Sequence, residues 1–141
     1  MATKISSDIS TNVDITSRKL DSFYLQAVVT NEDSSAFDLT DYENIDFVIK
    51  NSNNTIVKQF SKTGTQSTGT TESLKPQTIT DSGALGVITI NVVAKTTVDS
   101  GDNAGTYDNM NIQVGNYTYT LKIVSSTQTH TILHGKFKVV D

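Results

Sequence analysis

The chain has 141 residues, the size of one domain, and carries 11 Lys and Arg against 15 Asp and Glu for a net charge of −4. A chain of roughly this length buries about 70% of its unfolded surface, so one core can stand without staples. The negative balance disfavours a nucleic acid partner. No apolar run approaches the roughly 20 residues of a membrane helix, and the total lack of Cys excludes disulfides, thiol catalysis and Cys-based zinc sites.

The opening "MATKISSDIS" has no apolar stretch of the secretory type. Residues 1–20 are polar, with isolated Ile5, Ile9, Val13 and Ile15, and read as an N-terminal arm with room for a first strand after a loose start. Ile5 and Ile9 are spaced too widely to build a core of their own. They are therefore candidate docking residues toward a neighbouring subunit.

From residue 21 to 141 the chain reads as one domain with a period of two. "FYLQAVVT" puts Phe23, Leu25, Ala27 and Val29 on one face. "IDFVIK" puts Ile45, Phe47 and Ile49 on one face with Asp46 and Lys50 opposite. The turn cluster Asn51 to Asn54 then leads into "TIVKQF", which is a hairpin signature. Ser61 to Ser73 is a Thr, Gly and Ser tract, expected to be a long exposed loop. "GVITINVV" aligns Ile88, Ile90 and Val92, and "VVAKTTVDSG" has room for one helical turn at most. Val98 to Gln113 reads as a second long connection. "NYTYTLKIV" aligns Tyr117, Tyr119, Leu121 and Ile123. In "HTILHGKFKVV", Leu133, Gly135, Phe137 and Val139 share a face, with His134, Lys136 and Lys138 opposite.

Apolar-in, polar-out alternation marks antiparallel sheet with one solvated face. Ser, Thr and Asn supply about a third of the chain, the composition of many short strands and polar turns. Seven or more such strands predict an all-β, immunoglobulin-like antiparallel β-sandwich of Greek-key type. "GNYTY" has the spacing of a tyrosine corner. Tyr117 would bond back to nearby backbone, and Tyr119 would be the core residue two positions on.

Chemistry finds little purchase in the sequence. There is no G-x-S-x-G elbow, P-loop or G-x-G-x-x-G, and the reading is a non-enzymatic protein without a cofactor. Asp99, Asp102, Asn103 and Asp108 are oxygen donors of the kind calcium takes. Their spacing misses the twelve-residue EF-hand loop, so a solvated loop is expected rather than a metal site. His130 and His134 would share a strand face about 13 Å apart, too far to hold one ion. "NNT" at Asn53 and "NYT" at Asn116 match the glycosylation pattern by composition alone.

Gly115, Tyr117, Tyr119 and Leu121, followed by Thr131, Leu133, Gly135, Phe137 and Val139, resemble the closing pattern of immunoglobulin-like domains of bacteriophage virion proteins. Leu39 to Asn54 is similar to the middle of the N-terminal module of phage baseplate upper proteins. The resemblance spans residues 40 to 140 or so. It implies a virion structural protein, made in the host cytoplasm, that contacts other virion proteins in many copies per particle. The chain stops at Asp141, where baseplate upper proteins continue into a stalk. A capsid auxiliary or decoration protein docked on the major capsid shell is therefore the expected role. A tail, neck or baseplate protein is the alternative, and a surface adhesin or carbohydrate-binding module a further one. Tyr117, Tyr119, Leu121, Leu133, Gly135 and Phe137 are its structural residues.

Overall fold

The computed structural model describes residues 2–4, 11–62, 64–67, 70–72, 79–99, 101 and 104–141. Where apolar and polar residues alternate, the chain is extended, because that period places every second side chain on one face of a pleated strand. The strands are β1 (Ala2–Lys4), β2 (Thr11–Asn12), β3 (Ile15–Arg18), β4 (Phe23–Thr30), β5 (Asn44–Lys50), β6 (Ile56–Ser61) and β7 (Gly64–Ser67). They continue with β8 (Thr70–Glu72), β9 (Ile79–Asp81), β10 (Val87–Val92), β11 (Lys95–Val98), β12 (Gly105–Asp108), β13 (Gly115–Val124) and β14 (Thr129–Val140). A single 3-10 turn, Gly83–Leu85, is the only helical element among the described residues.

The fold is all-β, with two main sheets. The smaller runs β1-β4-β10-β9, and the larger runs β2-β14-β13-β5-β6-β7-β8, with β3 also along β14. β11 and β12 form a separate two-stranded ribbon. Pairing is antiparallel except for β1 on β4 and for β2 and β3 on β14, which are parallel.

The inner faces of the two sheets share one core. The smaller sheet contributes Phe23, Ala27, Val29, Ile79, Ile88, Ile90 and Val92, all buried. The larger contributes Phe47, Phe60, Tyr119, Leu121, Leu133 and Phe137, among others. Phe23 bridges the layers, with its ring centroid 5.6 Å from those of both Phe47 and Phe137. Aromatic contacts at this range add about 0.5–1.5 kcal/mol each beyond area burial. The arrangement is thus sandwich-like.

The β5–β6 hairpin turns at Asn51 to Asn54. The Asn51 side chain accepts from the backbone N–H of Asn53 and Thr55, and Asn54 takes a positive φ of 63° that Asn tolerates.

Three expectations need correction. Residues 11–20 hold two short strands, where the arm is expected to hold a first strand only. β2 and β3 lie along β14, and the Val13 N–H donates to the His134 carbonyl at 2.9 Å. Val13 and Ile15 pack against the core, so two isolated apolar residues suffice once a neighbouring strand supplies the rest of it. Ile5 and Ile9 lie outside the described residues. Second, the tract Ser61 to Ser73 is not simply a loop, since β7 and β8 within it extend the larger sheet. Threonine is a strand former, and pairing of β7 to β6 and of β8 to β7 supplies the context that a local reading lacks. Third, the stretch that had room for a helical turn forms β11. It pairs with β12 inside the expected second loop, as its β-branched residues favour.

Leu121 is fully buried, paired with Phe47 on one side and Leu133 on the other. Leu121→Ala should therefore cost about 2–5 kcal/mol in urea unfolding. An unchanged midpoint would mean that β13 presents its other face to the core.

Candidate functional site

The most tightly built locus lies at the start of β13, where it meets β14 and the incoming β3. Tyr117 is half-buried, and its hydroxyl donates to the Gln113 carbonyl at 2.7 Å, four residues back. Two residues on, Tyr119 is only 1% exposed. Its ring stacks on Phe47 at 5.1 Å with planes 22° apart and meets Phe137 edge-on at 6.4 Å. Its hydroxyl donates to the Val13 carbonyl at 2.6 Å, tying β13 to a segment 106 residues away. Burial, with a smaller contribution from the Asp14 carboxylate, pushes the Tyr119 phenol up to about 12.

Gly135 pairs directly with Tyr119 across the β13–β14 ladder. A Cβ at position 135 would collide with that same Val13 carbonyl, at a φ of 159° that L residues rarely adopt. The glycine thus leaves room for the N-terminal segment to cross β14. On the far side of the crossing, the Lys136 N–H donates to the Asp14 carboxylate at 3.0 Å. Leu133 and Phe137 are fully buried on either side of Gly135. The six structural residues named from the sequence therefore converge on one region.

The histidines are separated by a feature invisible at the level of spacing. The β13–β14 register shifts between Leu121 and Lys122, so that Ile132 is the extra residue of a β-bulge and Ile132 and Leu133 are both buried. His130 then pairs with core-facing Ile123, its ring 6.1 Å from Tyr42, while His134 pairs with Thr120. The two do not share a face as the plain i, i+4 count predicts.

Asp99 and Asp108 are exposed, and Asp102 and Asn103 lie outside the described residues. Among the described residues, no three His, Cys, Asp or Glu side chains stand close enough to hold a metal ion.

Asn116, Thr118, Lys136 and Lys138, walled by Asp14 and Asn51, line an open groove of roughly 580 Å³ where β13 outruns β5. Further along, Lys122 stands directly opposite Asp46. Partial burial pushes the Asp46 carboxyl up, against the opposing pull of Gln59, Asn44 and Lys122.

Sequence reasoning missed several residues that hold these elements in place. Lys58 is buried, with its ammonium 5.7 Å from the Phe60 ring centroid. Lys62 pairs with Asp81 at 2.8 Å, joining the end of β6 to β9. Asn109 is 2% exposed. Its amide group donates to the Val93 carbonyl and its backbone N–H to Ala94, closing the β11–β12 ribbon. Only position after an apparent turn marks Asn109 in the sequence, and nothing there pairs Lys62 with Asp81.

No protein-family model matches this chain, and no curated protein matches it.

Two outcomes follow from this geometry. Tyr117→Phe removes one hydrogen bond while leaving the ring, and should cost about 0.5–1.5 kcal/mol in thermal or urea unfolding. Tyr119 has a folded-state value above that of an unfolded tyrosine, so the native state keeps its proton longer. Its contribution is complete below about pH 10 and is lost as pH rises toward about 12. Stability measured across that range should therefore fall less steeply in Tyr119→Phe than in the unaltered protein. An identical slope would show that the phenol ionises as readily folded as unfolded.

Proposed function

We propose that the chain is a non-enzymatic structural module of a bacteriophage particle. It is built as an immunoglobulin-like Greek-key sandwich and docks as a capsid auxiliary or decoration protein. The observation that carries the fold half of this reading is the Tyr117–Gln113 bond at the start of the penultimate strand, the geometry of a tyrosine corner. Strand order supports it as well. The row β14-β13-β5-β6 continues outward to β7, and the opposing row is β1-β4-β10-β9. With β4 taken as B, β5 as C, β6 as C′ and β14 as G, that order is the one expected of a variable-type sandwich, which supports the reading. One departure is β1, which lies parallel to β4.

The virion role rests on the resemblance of Gly115 through Val139 to phage domains. Those residues form the β13–β14 pair, the most extensive pairing among the described residues. A module of this kind acts through its surfaces, and this chain offers a broad outward sheet face and an ordered loop at one end of the sheet. The alternative, a tail or baseplate protein, draws on the resemblance of Leu39 to Asn54. That segment anchors Leu39 and Tyr42 in the core and ends in the β5–β6 turn.

Quantitative mass spectrometry of purified particles tests the reading. A copy number comparable to that of the major capsid protein is expected. A few dozen copies or fewer would move the module to the tail, and absence from the particle would overturn the virion role.

A further inference from the structure

Charge is unevenly distributed over this molecule. Among the outward-facing residues of β5, β13 and β14, four are lysines, Lys50, Lys122, Lys136 and Lys138, and one, Asp46, is acidic. On a chain of net charge −4, a face of +3 leaves −7 for the remainder. No Lys or Arg occurs between Lys19 and Lys50. The connection between β4 and β5 carries Glu32, Asp33, Asp38, Asp41 and Glu43, all exposed.

The two surfaces cannot satisfy each other within one molecule. The acidic connection ends at the first residue of β5, whereas Lys50 is its last, about 20 Å away at the usual rise per residue. Lys136 lies in the same cross-strand row as Lys50, through Thr118, and Lys138 lies one row further still. Of the four lysines only Lys122 has an opposed acid on the face, Asp46. Asp14 stands at the β3 edge, where it receives the Lys136 backbone N–H. A separation of about 20 Å is roughly twice the screening length at 0.1 M salt, so the intramolecular attraction is small.

The acidic connection is also held in one shape. Leu39 and Tyr42 are buried, the Phe37 N–H donates to the Val29 carbonyl at 3.0 Å and the Leu39 N–H to the Gly83 carbonyl at 3.0 Å. The carboxylates are thus presented on a fixed framework, which lowers the ordering cost of any contact they make.

We propose that the lysine face of the larger sheet docks the acidic end of a second copy of this chain. The face mixes its lysines with Thr118, Thr120, Asn116 and Val48. Lysines are compact, strongly hydrated point charges, so their attraction to carboxylates on another copy is electrostatic and sensitive to salt. Because the contact joins two different patches, it is heterologous, and each copy keeps one free face and one free end. Copies therefore string head to tail. The inference stands on the charge layout alone and is independent of the virion reading.

Sedimentation velocity on the purified full chain tests it. At about 20 mM salt, where the screening length is about 20 Å, the weight-average mass should be at least about twice that of the monomer; at about 300 mM it should return to the monomer value. Lys136→Glu with Lys138→Glu should abolish association, as should Glu32→Lys with Glu43→Lys. The second pair spares Asp33 and Asp38, whose carboxylates bond the adjacent turns. Mixed in equal amounts, the two double variants should form one-to-one dimers and nothing larger, because each retains the surface that the other lacks. Circular dichroism confirms that each variant is folded, and the glutamine versions of both pairs repeat the test where charge reversal disturbs folding. A wild-type chain that stays monomeric at low salt overturns the proposal. So do variants that associate like the wild type, or a mixture that stays monomeric.

Discussion

The Tyr119 hydroxyl reaches the Val13 carbonyl from inside the core at 2.6 Å, and much of the larger sheet is arranged around that bond. A buried phenol without a partner costs about 1–3 kcal/mol, and a buried carbonyl left unpaired is comparably unfavourable. Each group therefore needs the other. Their meeting requires that β14 carry no side chain at position 135, where a Cβ would strike the same carbonyl. It also requires that Phe47 and Phe137 hold the Tyr119 ring in one orientation. The N-terminal segment then adds parallel to β14, from Ile15 opposite Phe137 to Arg18 opposite Val140. A strand edge that would otherwise expose unpaired backbone is covered by the protein's own chain.

The same construction separates the two sides of the sheet. Inward residues of β5, β13 and β14 are committed to packing, while outward ones are free to carry charge, and four of them are lysines. The Ile132 bulge sets where this alternation changes phase along β14. Without the extra residue, His130 and His134 would project on the same side. With it, His130 turns toward Tyr42 and the acidic end, and His134 stays on the lysine face. One inserted residue thus decides which polar groups belong to which surface.

Most of the core was legible in the sequence because period-two alternation carries its own face assignment. Phe23, Ala27 and Val29, Ile45, Phe47 and Ile49, and Ile88, Ile90 and Val92 fall where the pattern puts them, all buried. The partners of those strands were not legible. β7 and β8 sit in a Thr and Gly tract with no apolar face, and only pairing, of β7 to β6 and of β8 to β7, makes them strands. β3 has four residues, a length at which pattern says little, and its place depends on Gly135, more than a hundred residues later. The candidate site divides in the same way. The spacing Gly115, Tyr117, Tyr119 named the two tyrosines, but the acceptor of Tyr119 is a backbone carbonyl, which has no sequence signature.

Amide hydrogen exchange in Tyr119→Phe, compared with the unaltered protein, probes the clamp most directly. If the bond to Val13 holds the N-terminal segment on the sheet, amides of residues 11–18 should lose about 1 kcal/mol of protection, roughly fivefold faster exchange. Amides joining β13 to β5 should change less. Equal acceleration throughout the larger sheet, or none in residues 11–18, would contradict the clamp and leave Tyr119 as a packing residue alone.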